Sequence, residues 1–473
     1  MNVLPLMSLI ASVVSTAPTE VTVYNQGFAL VKEVRTFDLV AGRQQVNFEN
    51  VASSIETDSV SIRSISSPGS FSVLEQNYQF DLISVTAILQ KAIGGRIVLN
   101  RVLPNGQKER VEGVLLSAPR AVNNQYFDGM VMRTDDGRIL LNPTGEVEVS
   151  KIPEGMRSLP TLIWDLESSK AGKNDVEVSY ITGGMSWRCN YVVNLDRDGK
   201  IGTFNGWVTL VNNSGTTYND AKLKLLAGEV ERNRNFGSRA PGAGMAMDAA
   251  AVPKREAFQQ ETFADYHLYT LQRPTTVANN EQKQVSLLEA DGVKASKRLV
   301  FDPMRNYQGY RANEGEIGTG ILRPQVRIEI KNTKDNKLGM PLPTGSVKVF
   351  QRDGSGSLQM LGEDAIDHTP RDETLSLFVG RAFDVVAERK RTAFEYIRKG
   401  SDIKGVRESF EIELRNRKES AETVEVIERF WGEWKIVKES FAGAKVSAEA
   451  NVWTVPLKAN ETKKLTFTVE NCW

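Results

Sequence analysis

The chain has 473 residues, a length that exceeds one ordinary hydrophobic core and predicts roughly two to four domains. Lysine plus arginine and aspartate plus glutamate both number 59, and the formal net charge is +0. No block of like charge stands out, whereas a nucleic-acid binder usually shows a basic stripe and an anionic-surface binder a basic helix. The composition therefore argues against both partners, and the 2 cysteines exclude a disulfide-stapled scaffold.

The first residues, MNVLPLMSLIASVVSTAPTE, form an apolar run that ends in small residues. Ser15-Thr16-Ala17 stand where a signal peptidase reads, which predicts a signal peptide over 1–17 and an extracytoplasmic protein, whether periplasmic, secreted or on the cell surface. The absence of Lys or Arg before the run and Pro18 after the cut count against cleavage, and a buried first strand or an N-terminal anchor is the alternative. No later segment has the roughly twenty apolar residues of a membrane helix.

Two small domains are predicted before residue 156. Short apolar runs from Glu20 to Phe80, separated by Gly, Asn and Ser clusters, predict an N-terminal β domain over 18–80. Next, DLISVTAILQKAIGG has apolar residues at helical spacing and stops on Gly94-Gly95, which predicts one short helix with a core-facing stripe. Four or five short strands with hairpin turns follow, a pattern similar to SH3-like barrels, so 81–155 is predicted to hold the helix and a small β-barrel.

The stretch Val176–Leu226 reads as consecutive antiparallel strands. Trp187 and Cys189 fall on one face while Arg188 and Asn190 fall on the other, the period-two pattern of a half-buried strand. The same alternation returns in QVRIEIKN, ESFEIELRN and KLTFTVENCW. We therefore predict a mainly β protein whose 156–473 region is an antiparallel β-sandwich of one or two subdomains.

Two further features concern the layout of this region. Gly, Ala, Pro and Met without period dominate ERNRNFGSRAPGAGMAMDAAAVPKRE, so 237–255 is predicted to be a mobile insertion inside the main domain. Trp164 is predicted to anchor the crossing from the barrel into the main domain; an exposed ligand-facing tryptophan is the alternative.

Long strings in the last three hundred residues carry a resemblance to a known family. SYITGGMSWRCNYVVNLD, YHLYTLQRPTTV and LGEDAIDHTPRDETLSLFVGRAFDVVAERK with LRNRKE resemble the C-terminal domain of the mucoidy-inhibitor-like conserved hypothetical proteins. That domain is catalogued only as a domain of unknown function, number four thousand one hundred and thirty-nine. The resemblance runs from about Val176 to the C-terminus and implies a fold but no reaction. The strands after Thr19 are more weakly similar to the domain that precedes it there.

Most catalytic classes lack their usual residues. Only His267 and His368 are present, which excludes a three-histidine metal site within one chain, and no HExxH or CxxC string occurs. No Gly-x-Ser-x-Gly elbow and no phosphate-cradling glycine loop before a helix is found. The hydrolase, kinase and dehydrogenase interpretations all lose their usual support.

One polar cluster could carry chemistry, the segment GEDAIDHTP from Gly362. Its candidate metal ligands are Glu363, Asp364, Asp367 and His368, which could bind a hard cation such as Ca²⁺ or, with the imidazole, a transition metal. The favoured alternative is a turn-rich loop whose carboxylates accept backbone N–H groups and pair with Arg371 or Arg381. Hard-cation loops normally place oxygen ligands at alternate positions, and this spacing does not repeat.

The two cysteines leave three interpretations open. Cys189 lies on the inward face of its predicted strand and is most simply a buried apolar thiol. A disulfide with Cys472 is the second interpretation, because two cysteines in an oxidising compartment tend to pair. A catalytic thiol is the third, with no histidine near it in the sequence.

The sequence thus predicts an exported β-rich protein that acts in binding or in cell-envelope structure, with a protein or cell-surface component as its partner and without covalent chemistry or a cofactor. The alternative is a metal-dependent hydrolase that uses the Glu363–His368 loop and a bound water. A third possibility, assembly through sheet edges, requires a long unprotected edge strand.

Overall fold

The computed structural model describes residues 17–80, 83–122, 125–127, 129–153, 155–232, 258–264, 266–306 and 317–473, and the side chains of 120–128 are not described. The predicted signal peptide, apart from Ala17, and the predicted insertion at 237–255 lie outside these residues. No described helix is long and apolar enough to cross a membrane.

Strands joined by turns make up nearly all of the described chain. The strands of the first half are β1 (Glu20–Tyr24), β2 (Phe28–Leu39), β3 (Gly42–Glu49), β4 (Ile55–Ser64), β5 (Phe71–Gln79), β6 (Arg96–Val102), β7 (Lys108–Ser117), β8 (Arg120–Val122), β9 (Gln125–Phe127), β10 (Val131–Thr134), β11 (Ile139–Leu141), β12 (Glu146–Val149), β13 (Thr161–Ser168), β14 (Gly172–Gly183), β15 (Met185–Leu195), β16 (Ile201–Asn212) and β17 (Tyr218–Ala227). Among the residues that the structure describes there is one α-helix, α1, which spans Val85–Lys91.

The second half continues in the same way. Its strands are β18 (Phe258–Phe263), β19 (Tyr266–Leu271), β20 (Thr275–Val277), β21 (Glu281–Phe301), β22 (Gly320–Leu322), β23 (Gln325–Lys331), β24 (Gly345–Arg352), β25 (Leu358–Ile366), β26 (Thr374–Arg381), β27 (Val385–Lys399), β28 (Asp402–Asn416), β29 (Glu422–Arg429), β30 (Glu433–Glu439), β31 (Ala444–Lys445), β32 (Ala450–Leu457) and β33 (Thr462–Cys472), with a 3₁₀ turn at Lys334–Asn336. The prediction of a mainly β protein with one short helix is confirmed.

The chain forms two compact units. The first contains the described residues of 17–187, 210–232 and 259–283, and the second contains 188–209 and the described residues of 284–473. The first unit therefore continues past the predicted boundary at residue 156. The reason is strand pairing: β14 lies between β2 and β4, so residues assigned by sequence to the main domain complete an N-terminal sheet.

A β-sandwich forms the larger part of the first unit. An eight-stranded sheet has the order β18-β19-β17-β1-β2-β14-β4, with β20 on β17, and a three-stranded sheet has the order β3-β13-β5. Trp164 of β13 packs against Phe37 of β2 and Phe48 of β3, with ring centroids 6.3 and 5.2 Å apart. Its Nε1 donates to Gln76 Oε1 at 2.9 Å. Trp164 is thus a core residue of this sandwich.

The helix and a small sheet form the rest of the first unit. The sheet has the order β11-β10-β7-β6-β12, and its core holds Ile97, Leu99, Leu115 and Met132. Ser84 caps α1 by accepting a hydrogen bond from Ala87 N at 3.1 Å. No residue of α1 is fully buried, so the predicted apolar stripe contacts the core only along its edge. The strands of the predicted barrel are thus present, and its closure as an SH3-like barrel stays a prediction.

The second unit contains another sandwich. One sheet has the order β25-β24-β15-β16-β21-β29-β32-β31, with β23 on β21 and β26 on β23, and the other has the order β22-β27-β28-β33-β30. Side chains from both meet in one core, among them Val424, Trp453, Phe410 and Phe467. The predicted antiparallel sandwich is confirmed, and among the described strands of this unit it also contains parallel pairings of β15 with β24 and of β21 with β29. In the first unit, β1 and β17 pair in parallel as well.

Candidate functional site

The predicted acidic loop is partly a strand. Glu363 and Asp364 belong to β25, and Asp367 and His368 follow directly after its end. Successive side chains of a strand point to opposite faces, so Glu363 and Asp364 do not converge. The structure thus separates two of the four candidate ligands.

Asp364 connects β25 and β26, two strands between which no backbone ladder is described. Its Oδ2 accepts a hydrogen bond from the backbone N of Phe378, in β26, at 2.6 Å. At Gly362 an added Cβ would lie 2.3 Å from the carbonyl oxygen of Val379, so β25 and β26 run very close together here. A carboxylate oxygen therefore accepts a hydrogen bond from a half-buried backbone amide, a bond that a strand ladder would otherwise supply.

Glu363 and His368, two of the other candidate ligands, also accept hydrogen bonds from the protein. Glu363 accepts a hydrogen bond from Ser346 Oγ, and the ring Nδ1 of His368 accepts one from Thr344 N at 3.3 Å. Among the described residues, no group of three or more His, Cys, Asp or Glu side chains could hold a metal ion. Of these carboxylates Asp364 accepts backbone N–H groups, from Phe378 and Ala365, whereas Arg381 donates to the carbonyl of Arg323 at 3.3 Å.

Both cysteines are free thiols. Cys189 is fully buried in β15, and its position in the ladder is opposite Gly345 of β24. Cys472 lies in the other sheet, opposite Gly405 of β28. The predicted disulfide is therefore absent from this structure, and burial raises the pKa of the Cys189 thiol to about 12, which keeps it protonated and unreactive.

The core of the second unit holds two buried ion pairs. Arg389 Nε contacts Glu428 Oε1 at 2.7 Å, and Arg391 Nη1 contacts Glu408 Oε1 at 2.9 Å. Burial raises the pKa of both carboxyls, and the arginines act in the opposite direction. Arg389 belongs to the string VVAERK that carried the family resemblance, and its position assigns that string a packing role. A general acid or base needs access to a reacting group, and these carboxyls are enclosed with their arginines.

A cluster of arginines at one corner of the second unit has no carboxylate at ion-pair distance among the described residues. We define the arginine corner as Arg305, Arg323, Arg327 and Arg381, together with the exposed apolar side chains of Ile321, Leu322 and Phe383. Among the described residues, none of these four arginines forms an ion pair with a carboxylate. Two of them share one neutral acceptor, because Arg305 Nη1 and Arg327 Nη1 both donate to Gln325 Oε1, at 3.1 and 3.3 Å.

Strand pairing and one ring contact assemble the corner. Gln325, the first residue of β23, is opposite Arg381, the last residue of β26. The guanidinium of Arg323 lies over the ring of Phe383 at 5.0 Å. Phe383 is 75% exposed and Ile321 64%, so the corner presents large apolar side chains beside the arginines.

The electrostatics of Arg327 reflect this crowding. Its Nε and Nη2 donate to the hydroxyl and carbonyl oxygens of Ser376 at 2.9 and 2.7 Å. Desolvation, and after it the charge of Arg305, lowers the pKa of Arg327. The charges of Asp364 and Glu329 act in the opposite direction, and a guanidinium stays protonated despite such a shift, so the corner holds like charges together.

This cluster was not predicted from the sequence. Its four arginines come from three separate segments, around residues 305, 325 and 381, so they form no basic stripe or basic helix in the sequence. Of these four arginines the sequence singled out Arg381 alone, as a predicted partner of the acidic loop. Strand pairing, which sequence alone did not supply, brings the segments together.

A model of a known protein family matches the larger part of the chain. The family model described as Domain of unknown function (DUF4139) matches residues 176–473, which include the whole arginine corner and both buried ion pairs. No curated protein matches the chain.

Proposed function

Because the chain belongs to the family of the domain of unknown function DUF4139, whose description names no reaction, we propose a function from its surfaces: it is an exported β-rich protein that serves binding or structure in the cell envelope. It acts by surface recognition or scaffolding, without covalent chemistry, and its partner is a protein or another cell-surface component. Export rests on the apolar leader that ends at Ala17.

The observation that carries the proposal is the arginine corner. Unpaired guanidinium groups next to exposed apolar side chains are typical of contact surfaces, where arginine and aromatic residues are enriched. Some exposed arginines of the chain have a carboxylate within reach, as Arg63 has Glu177 at 2.6 Å and Arg407 has Glu470, and others do not, so the corner is set apart by the grouping of its arginines beside exposed apolar side chains. A surface that keeps its cations unpaired suits a partner that supplies the missing anions.

A metal-dependent hydrolase needs the acidic residues to converge on an open cavity. Glu363 and Asp364 point to opposite faces of β25, and Asp364 is engaged by a backbone amide of the neighbouring strand. No observation favours that alternative. Recognition by a surface also agrees with the buried carboxyls Glu408 and Glu428, which are held by arginines and not directed into a cleft.

A crosslinking experiment in living cells tests the proposal. A photoreactive amino acid replaces Phe383, and in a matched control it replaces Val446, an apolar residue that is 60% exposed elsewhere in the same unit. We expect an envelope component crosslinked from position 383 and not from 446, with the protein in the extracytoplasmic fraction. Equal crosslinking at both positions, or a protein confined to the cytoplasm, would refute the proposal.

A further inference from the structure

The arginine corner has the composition of a site for an amphiphilic anion. Its cationic part is the pair Arg305 and Arg327, which meet at the amide oxygen of Gln325. The charge of Arg305 acts unfavourably on Arg327, and the charges of Asp364 and Glu329 offset part of that effect without forming an ion pair with either arginine. An anion with several oxygens placed here would accept hydrogen bonds from both guanidinium groups and remove the repulsion.

The apolar part of the corner is continuous with the cationic part. Ile321 and Leu322 form the exposed edge strand β22 and directly precede Arg323 in the chain. Arg323 in turn lies over Phe383. A ligand seated on the arginines therefore meets large apolar side chains at the same time.

We propose that the arginine corner binds the surface of an anionic phospholipid membrane, with its arginines on the headgroup phosphates and Phe383, Ile321 and Leu322 at the boundary with the acyl chains. Guanidinium groups match phosphate geometry, and exposed apolar side chains add buried area at that boundary. The inference deepens the proposed function, on which it rests, by naming the cell-surface component.

Other anions fit the corner less well. A free phosphate ion would satisfy Arg305 and Arg327 but would leave Phe383 and Ile321 in water. The formal net charge of +0 disfavours a nucleic acid and an anionic surface alike, so the apolar side chains decide between them: a nucleic-acid backbone would leave Phe383 and Ile321 in water, whereas a membrane would cover them. An acidic protein segment is the remaining occupant, and the experiment below separates it from a membrane.

Vesicle co-sedimentation at fixed ionic strength tests the inference with the full chain. The vesicles contain either phosphatidylcholine alone or phosphatidylcholine with phosphatidylglycerol. We expect the wild type to bind the anionic vesicles only. Each basic residue near such a surface contributes roughly fivefold to the affinity, so the double variant Arg305→Glu/Arg323→Glu should bind at least about twentyfold more weakly.

Matched variants separate the site from general charge. Lys435→Glu/Lys438→Glu makes the same change of net charge on exposed residues of β30 and should leave binding within about twofold. Phe383→Ser keeps every arginine and should weaken binding severalfold, because the apolar contact is lost. Melting curves confirm that each variant is folded before its binding is compared.

Several outcomes would overturn the inference. They are equal binding to the two kinds of vesicle, an equal effect of the lysine and arginine variants, and binding of inorganic phosphate at the corner without vesicle binding. The last result would make the corner a site for free phosphate. A protein crosslinked from position 383 without vesicle binding would reject the membrane and keep the proposed function, whereas failure of both experiments would reject both.

Discussion

Arg389 and Glu428 form a two-pronged ion pair in the core of the second unit. Nε and Nη2 of Arg389 contact Oε1 and Oε2 of Glu428 at 2.7 and 2.9 Å, and the side chains are 3% and 0% exposed. The guanidinium also donates to the carbonyl of Ile317 at 3.0 Å and lies over the ring of Phe410 at 4.0 Å. β27 and β29 belong to different sheets of the sandwich, so this pair connects its two layers.

Removal of one member of the pair should be costly. Arg389→Met leaves Glu428 without its cation inside an apolar core, and we expect the free energy of unfolding to fall by about 3–5 kcal/mol. The double variant Arg389→Met/Glu428→Leu removes both charges and should recover most of that loss, because a well-packed apolar pair is often as stable as a buried ion pair. Urea unfolding followed by tryptophan fluorescence measures both.

An exposed pair provides the control for this experiment. Lys464 lies 2.9 Å from Glu411 on the solvent side of the second unit. Lys464→Met should change the free energy of unfolding far less than Arg389→Met does, because solvent screens an exposed pair. Equal losses for the buried and exposed variants would contradict the role assigned to Arg389.

The contact between β25 and β26 predicts a second pattern of stability. Asp364→Ala removes the acceptor of Phe378 N and should cost about 1–3 kcal/mol, the penalty for an unsatisfied amide. Gly362→Ala places a methyl group against the carbonyl of Val379 and should cost a similar amount through overpacking. Asp367→Ala should change stability by less than about 0.5 kcal/mol, as is usual for exposed positions.

Chelation separates this account from a metal-binding loop. With Asp364 acting on a backbone amide, the wild-type melting curve is unchanged by a chelator. A loop that binds a metal through Asp364, Asp367 and His368 would melt earlier after chelation and would lose stability in the Asp367→Ala variant as well.

Period-two alternation was enough to predict the strands and the inward face of β15, where Trp187, Cys189 and Tyr191 are buried as expected. The turn between β15 and β16 follows from turn chemistry, since an Asp-Gly pair favours positive φ and Gly199 adopts a φ of +68° after Asp198. Both signals are local. Alternation indicates which side of a strand is apolar, and turn chemistry indicates where the chain reverses.

Strand order carries no such local signal. The strands of Val176–Leu226 looked consecutive, yet β14 and β17 belong to one sheet while β15 and β16 belong to another. The same limit affected the sites. The residues from Glu363 to His368 are close in sequence and were therefore predicted to form a site. Arg305 and Arg381 are far apart in sequence and belong to one cluster in space because distant strands pair.

The burial of Cys189 predicts the chemistry of the two thiols. Cys189 is fully buried with a pKa of about 12, whereas Cys472 is half-buried. In native protein at pH 8, iodoacetamide should leave Cys189 unmodified after Cys472 has reacted, because alkylation requires a thiolate that the reagent can reach. In urea both should react, and peptide mass spectrometry identifies the sites. Equal labelling in the native state, or a Cys189–Cys472 disulfide in the untreated protein, would contradict the structure.

The pair between Glu177 and Arg63 predicts a specific pH dependence in the first unit. The hydrogen bond from Arg63 lowers the pKa of Glu177 below its usual value of 4.5. A lowered carboxyl pKa stabilises the fold above the unfolded-state value, and that contribution is lost as the pH falls through the folded-state pKa. Glu177→Gln should therefore reduce the stability lost between pH 5 and pH 3 by up to about 1 kcal/mol, the limit for a solvent-exposed partner. Arg63→Gln should flatten the curve in the same direction but less, because Lys32 still lies 4.0 Å from Glu177. Thermal melts of both variants that match the wild type in slope across this range would contradict the assignment.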